Sequence, residues 1–285
     1  MSDHTPDRSV SDPEPARQPH AVTEYEPEAT CPVGVDLVFE PRAVTMLLAG
    51  AAAVLVAMHL LAQFARFYLG LDMSNRLVVD VLEELHLSLE DNLPTYFSAL
   101  MLLACAVLLL LISLAARRSG RPHSLAWAGL AAVFSYLSAD EMLAWHEFLV
   151  GPFRALLHTS GLLYFAWVVP YGVLVIALAL AYLRFFLWLP PRTRRLFALS
   201  ALVFLSGAVG FEMLGGRYAE LHGLDTAGMT NDLGLTVYQT IEETLEMAGV
   251  VLFIYALLSY IRATFPLRVT IGRAAAGGEH DAAQH

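Results

Sequence analysis

Six stretches of this chain are too long and too apolar to be anything but helix in lipid. They lie at 43–70, 94–116, 124–150, 161–189, 195–215 and 235–260 and are dominated by Leu, Ala, Val and Phe. Apolar runs beyond about 18 residues match the thickness of a bilayer better than the width of a soluble core. In hydrocarbon, each backbone N–H and C=O needs a partner within its own segment. The expected fold is therefore an all-α integral membrane protein built as a six-transmembrane-helix bundle. Composition agrees: 15% of residues are charged, where a soluble domain carries about a quarter.

The arginines orient the bundle. Arg42 precedes the first span; Arg117, Arg118 and Arg121 join the second to the third; Arg192, Arg194 and Arg195 join the fourth to the fifth; Arg262, Arg268 and Arg273 follow the last. The other connections hold only Arg76, Arg154 and Arg217. The positive-inside rule then predicts cytoplasmic N- and C-termini. Residues 1–40, rich in proline and acids, and residues 266–285 read as disordered cytoplasmic tails flanking a transmembrane domain at 41–265. No basic start leads into an apolar run near the N-terminus, so no secretory signal is expected. Cys31 and Cys105 are too few and too far apart for a disulfide framework or a cysteine metal site. A net charge of -10 argues against nucleic acid as a partner. The expected location is a bacterial inner membrane, with membrane lipid as the standing partner.

Outside the tails, every acidic residue falls on the outer side of this topology. The connection between spans 1 and 2 places Leu77, Val78, Val81, Leu82, Leu85 and Leu89 at helical spacing, with Asp80, Glu83 and Glu84 between them. This pattern predicts a short amphipathic external helix. Its Glu83 and His86 stand at i and i+3, the spacing of a helical Glu-x-x-His metal pair.

The strongest signal lies within the spans. Span 3 contains SYLSADEMLAWHEFL, in which Asp140 and Glu147 are expected to share one helix face, with Glu141 and His146 flanking it. Span 6 opens with QTIEETLEMAG, carrying Glu242, Glu243 and Glu246. At about 1.5 Å per residue, Asp140 and Glu141 lie roughly 14 Å below the outer end of span 3, and Glu242 and Glu243 about 11 Å below that of span 6. The two clusters therefore share a level. Glu212 in span 5, Glu90 ahead of span 2, and His59 and Arg66 in span 1 add polar groups nearby. The aromatic stripe Tyr164, Trp167 and Tyr171 in span 4 reads as packing. Ionisable groups at this depth cost about 2.5–3.5 kcal/mol each and face a cavity or a partner.

Clustered carboxylates with histidine suit a divalent metal such as Fe, Mn or Zn. The expected ligands are Glu141, His146, Glu212, Glu242, Glu243 and Glu246, with Asp140 and Glu147 as proton-moving catalytic groups and His59, Arg66, Glu83, His86 and Glu90 as secondary candidates. The chain has no histidine boxes of the desaturase kind, no multiple-histidine pattern of ceramidase-like hydrolases and no rhomboid-like Gly-x-Ser with a partner histidine. DEMLAWHE and EETLEMAG are similar to stretches of bacterial multi-pass proteins. Three readings stand open: a metal-dependent membrane enzyme acting on a lipid or other amphiphile, a proton- or cation-coupled transporter using the same acids, and a non-catalytic membrane subunit.

Overall fold

The protein is described from a computed structural model, over residues 40–71, 73–224, 226–229 and 231–265. The expected tails fall outside these residues, apart from Glu40, and so does Cys31. All described elements are helical: α1 (Pro41–Tyr68), α2 (Arg76–Glu84), α3 (Leu93–Arg118), α4 (Ser124–Leu143), α5 (Glu147–Leu157), a 3-10 turn (Gly161–Leu163), α6 (Val168–Trp188), α7 (Pro191–Leu205), a π turn (Ser206–Phe211), α8 (Glu212–Leu221), the single turn α9 (Thr226–Met229) and α10 (Leu233–Thr264).

The chain punctuates these helices where the chemistry requires it. Proline stands in the first turn of α1, α3 and α7, where no intrahelical N–H is lost. Asn92 and Asp232 cap α3 and α10 by accepting from the N–H groups of Thr95 and Leu235, at 3.1 and 2.8 Å. α1, α3, α6, the continuous α7–α8 stretch and α10 are long and apolar enough to cross a membrane. α4, with 20 residues, is about 30 Å long, but Asp140 and Glu141 lower its hydropathy. α1 and α6 turn bare apolar surface outward: Leu47 is 75% exposed and Leu180 68%. Such surface on a water-soluble monomer would be a liability, and it suits a helix embedded in lipid.

Cross-contacts fix the directions. Ser113 Oγ donates to Ser124 O at 2.8 Å and Ser138 Oγ to Ala99 O at 2.8 Å, so α3 and α4 form an antiparallel hairpin. α10 runs down the centre, against α1, α3, α7 and α8. His59 meets Thr240 near one end of the α1–α10 pair, and Glu40 meets Arg262 at the other. The bundle thus has two unlike ends. Where α1 begins and α10 finishes, Trp127 packs edge-on to Phe185 at 4.9 Å and against Tyr260 at 4.9 Å, within a core that includes Leu109, Ile112 and Leu257. The opposite end holds the cluster of Glu90, His146 and Glu147.

Two spans depart from the sequence reading: the fourth is α-helical only over Val168–Trp188, behind the 3-10 turn at Gly161–Leu163, and the third is broken. Residues 124–150 are not a single helix: α4 stops at Leu143, Ala144 adopts a left-handed conformation (φ 48°), and α5 starts afresh at Glu147. Asp140 is the physical reason. Its Oδ1 accepts the backbone N–H of His146 at 3.0 Å, drawing the chain back over the end of α4 in place of another helical turn. Asp140 and Glu147 therefore do not share a helix face.

Candidate metal centre

The open end of the α3–α4 hairpin builds the site from both of its sides. Ahead of α3, the segment 85–92 is pinned by Asn92, which is 3% exposed. Its Nδ2 donates to His86 O at 2.7 Å and Glu83 O at 3.2 Å, while Thr95 Oγ1 donates to Leu89 O at 3.0 Å. Glu90 is held between these ties. Beyond α4, the turn through Ala144 delivers His146 and Glu147. Glu90, His146 and Glu147 each place a ligand atom within 4.8 Å of the other two. Donors sharing one ion at bonds of about 2.1 Å lie at most about 4.2 Å apart. The group is thus slightly wider than a metal-bound triad, and among the described residues it is the cluster with this geometry.

His146 is oriented for the task. Its Nδ1 faces Asp140 Oδ2 at 3.4 Å while its backbone N–H holds Oδ1, which leaves Nε2 as the nitrogen able to coordinate. A carboxylate behind a histidine fixes tautomer and ring direction in metal sites generally. Asp140 is itself held: Tyr171 Oη donates to its Oδ1 at 2.9 Å, and the Tyr136 and Tyr171 hydroxyls are 2.7 Å apart. The Trp167 ring lies 5.0 Å from that of His146. Burial, with Glu147, Asp91 and Asp140 adding to it against His146, pushes the Glu90 carboxyl up to about 7.

A second tier of carboxyls lies behind the triad. Glu141 is in electrostatic reach of Glu90, His146 and Asp140. Glu243 and Glu246 from α10 both sense Glu141, Glu90 and Glu212. Glu212 and Glu242 share a hydrogen bond, and Trp167 Nε1 donates to Glu212 Oε1 at 2.6 Å. Two hydrogen-bonded carboxyls hold a proton between them and titrate as a pair. The π turn just before Glu212, at Ser206–Phe211, lets α7 approach α10 closely, with Gly207 against Glu242 and Glu246.

Of the six expected ligands, His146 belongs to the triad, while Glu141, Glu212, Glu242, Glu243 and Glu246 form the tier behind it. Glu147, expected to move protons, is a donor, and so is Glu90, expected only as a secondary candidate. Asp140 orients His146. The remaining candidates are elsewhere. Glu83 is exposed on α2, whereas His86 lies past that helix's end, 2% exposed, its ring 5.0 Å from His59, so the two do not form a helical pair. His59 ties helices together. The Thr240 hydroxyl donates to Thr236 O at 2.7 Å, so His59 Nε2 donates to it at 3.0 Å and Nδ1 accepts from Leu87 N–H at 3.2 Å. Arg66 donates to Asn231 Oδ1 at 2.5 Å. Trp167 and Tyr171, which read as packing in the sequence, hold Glu212 and Asp140 in the fold. Their spacing of four, on one face of the span opposite Asp140, was the available signal.

Set beside known proteins, residues 46–261 match the family described as "Domain of unknown function (DUF8692)", and the chain belongs to that family. No curated protein and no solved structure matches it.

Proposed function

We propose that this member of the family is a divalent-metal membrane enzyme, binding Fe, Mn or Zn through Glu90, His146 and Glu147 and acting on a lipid or other amphiphile. The observation that carries the reading is the convergence of those three donors around a histidine oriented by Asp140. Three protein ligands leave room for water or substrate, as catalytic sites require. Glu141, beside Glu90 and His146, is placed to take a proton from activated water, and the paired carboxyls behind it to pass it on. Met142, Leu143, Trp145 and Phe148 are exposed next to the triad, an apolar apron suited to the chain of an amphiphile. On this reading the site opens to the outer side of a bacterial inner membrane, with both termini cytoplasmic.

The carrier reading needs a polar route through the other half of the bundle. That half is filled by Leu109, Ile112, Trp127, Ile254 and Leu257, none more than 2% exposed. This favours a one-sided site.

Metal analysis of the detergent-purified chain tests the proposal. Wild type, reconstituted with Fe, Mn or Zn, is expected to retain about one ion. Glu90→Ala, His146→Ala and Glu147→Ala lose it, and Glu242→Gln keeps it. Loading weakens as pH falls below about 7, because the ion must displace the proton on Glu90. A wild-type protein that retains no metal after reconstitution ends the proposal.

A further inference from the structure

The opposite end of the bundle has a cavity of its own. It measures about 560 Å³ and is lined by Glu40, Arg42, Arg192, Tyr255, Ser259 and Arg262. Three segments far apart in sequence bring one arginine each: the first turn of α1, the first turn of α7 and the last turn of α10. Among the described residues, Glu40 is the one carboxylate in the lining, and Arg262 Nη1 donates to its Oε2 at 2.6 Å. The other two guanidinium groups converge on a neutral hydroxyl: Arg192 Nη2 lies 3.4 Å from Tyr255 Oη, and Arg42 also bonds that oxygen. Two positive charges in the lining therefore have no carboxylate to answer them there among the described residues. α1 and α7 both begin at this cavity with no side-chain cap, so their positive dipole ends add to the same field.

We propose that this cavity binds the phosphate of an anionic phospholipid headgroup. Arginine suits phosphate because its planar fork of N–H donors matches the oxygens in pairs. Basic pockets between transmembrane helices are where such headgroups seat. The surroundings select a lipid over free phosphate. Met46, one turn beyond Arg42 on the same face of α1, is 68% exposed, and Leu199, two turns beyond Arg192 on α7, is 46% exposed. Acyl chains descending from a headgroup in the cavity would cover both. Glu40 neutralises Arg262, so Arg42 and Arg192 are the pair left to meet the phosphate.

The test uses the full chain, delipidated in a neutral detergent, with three additions compared: phosphatidylglycerol, phosphatidylcholine and inorganic phosphate. Native mass spectrometry reads bound lipid and a thermal scan reads the unfolding midpoint. Phosphatidylglycerol is expected to bind at about one per chain and raise the midpoint, with phosphatidylcholine and millimolar phosphate doing neither. Arg42→Gln and Arg192→Gln each weaken phosphatidylglycerol binding about fivefold, while Arg118→Gln, at the same end but outside the cavity, leaves it unchanged. Equal binding of phosphatidylcholine, or wild-type affinity in the Arg42→Gln, Arg192→Gln double variant, overturns the proposal. A midpoint shift produced in full by inorganic phosphate overturns it too, in favour of a soluble anion. Since Arg42 and Arg192 are at the other end of the bundle, these outcomes are independent of the metal reading.

Discussion

His86 is where a single side chain meets the most constraint. It is 2% exposed. Its Nδ1 accepts from the Ser88 N–H at 3.3 Å, which puts the proton on Nε2 in a neutral ring, and Nε2 has no partner among the described residues. Both amide atoms of Gln63 are buried in the same condition. Burial first, then His59 and Arg66, lowers the His86 pKa to about 4 from an ordinary value of 6.5. The folded state therefore prefers the neutral ring, while the unfolded chain protonates it near 6.5. The stability that His86 contributes is fully present above pH 6.5 and is lost as pH falls toward 4. Replacing it by an uncharged amide removes that dependence. The stability of wild type relative to His86→Gln is expected to fall by on the order of 3 kcal/mol between pH 7 and pH 4. Thermal unfolding of both proteins in detergent across that range measures it. A difference that stays flat with pH would mean that the ring is charged or solvated in the fold.

At the scale of elements, the contact between α7 and α10 sets the position of the deep carboxyls. A Cβ on Gly207 would lie 2.6 Å from Glu242 O and 3.1 Å from Glu246 Cγ. The first of these is backbone and cannot swing aside. Gly207→Ala therefore pushes the π turn away from α10, parts Glu212 from Glu242, and costs about 1–3 kcal/mol as overpacking. Gly215→Ala is the control: its Cβ meets Leu235 and Tyr238 side chains at 3.5 and 3.6 Å, ordinary contact. Its unfolding midpoint should match or exceed wild type, because alanine is the better helix former by about 1 kcal/mol. Midpoints that coincide for the two variants would show that α7 and α10 are not in register as described. The sequence discloses the helices here but not their junctions. Apolar runs follow from length, which a linear chain displays. The approach of Glu141 to Glu243 is consistent with their similar depth, although that depth assumes an unbroken span 3. The break at Ala144 is not displayed in this way, since neither glycine nor proline marks it. It arises from the Asp140 side chain capturing the His146 N–H, a contact that competes with the next helical turn only once Tyr171 holds Asp140 in place. Glu90 is hard to read in the sequence for the same reason: it joins the cluster through the folding of 85–92 around Asn92.

The whole molecule is polarised along its axis. The arginines that end α3 and α10 and begin α1 and α7 stand at one pole; Glu90, Asp140, Glu141, His146, Glu147, Glu212 and Glu242 gather at the other. A membrane reads such a molecule by its basic pole, which is retained on the cytoplasmic side. On the proposed topology the candidate triad faces outward and the arginine cavity lies at the inner leaflet, where anionic lipid is concentrated. Two exposed positions report the sidedness. Ser119 follows α3 at the basic pole, and Leu221, 70% exposed, ends α8 at the acidic one. In a Cys31→Ser background, Leu221→Cys is expected to react with a membrane-impermeant maleimide in intact cells. Ser119→Cys should react only after permeabilisation, and the buried Cys105 should stay silent in both. Labelling in the reverse order would turn the bundle over. The carboxyl tier would then draw on the cytoplasm for its protons and its ion, and the arginine cavity would meet the outer leaflet.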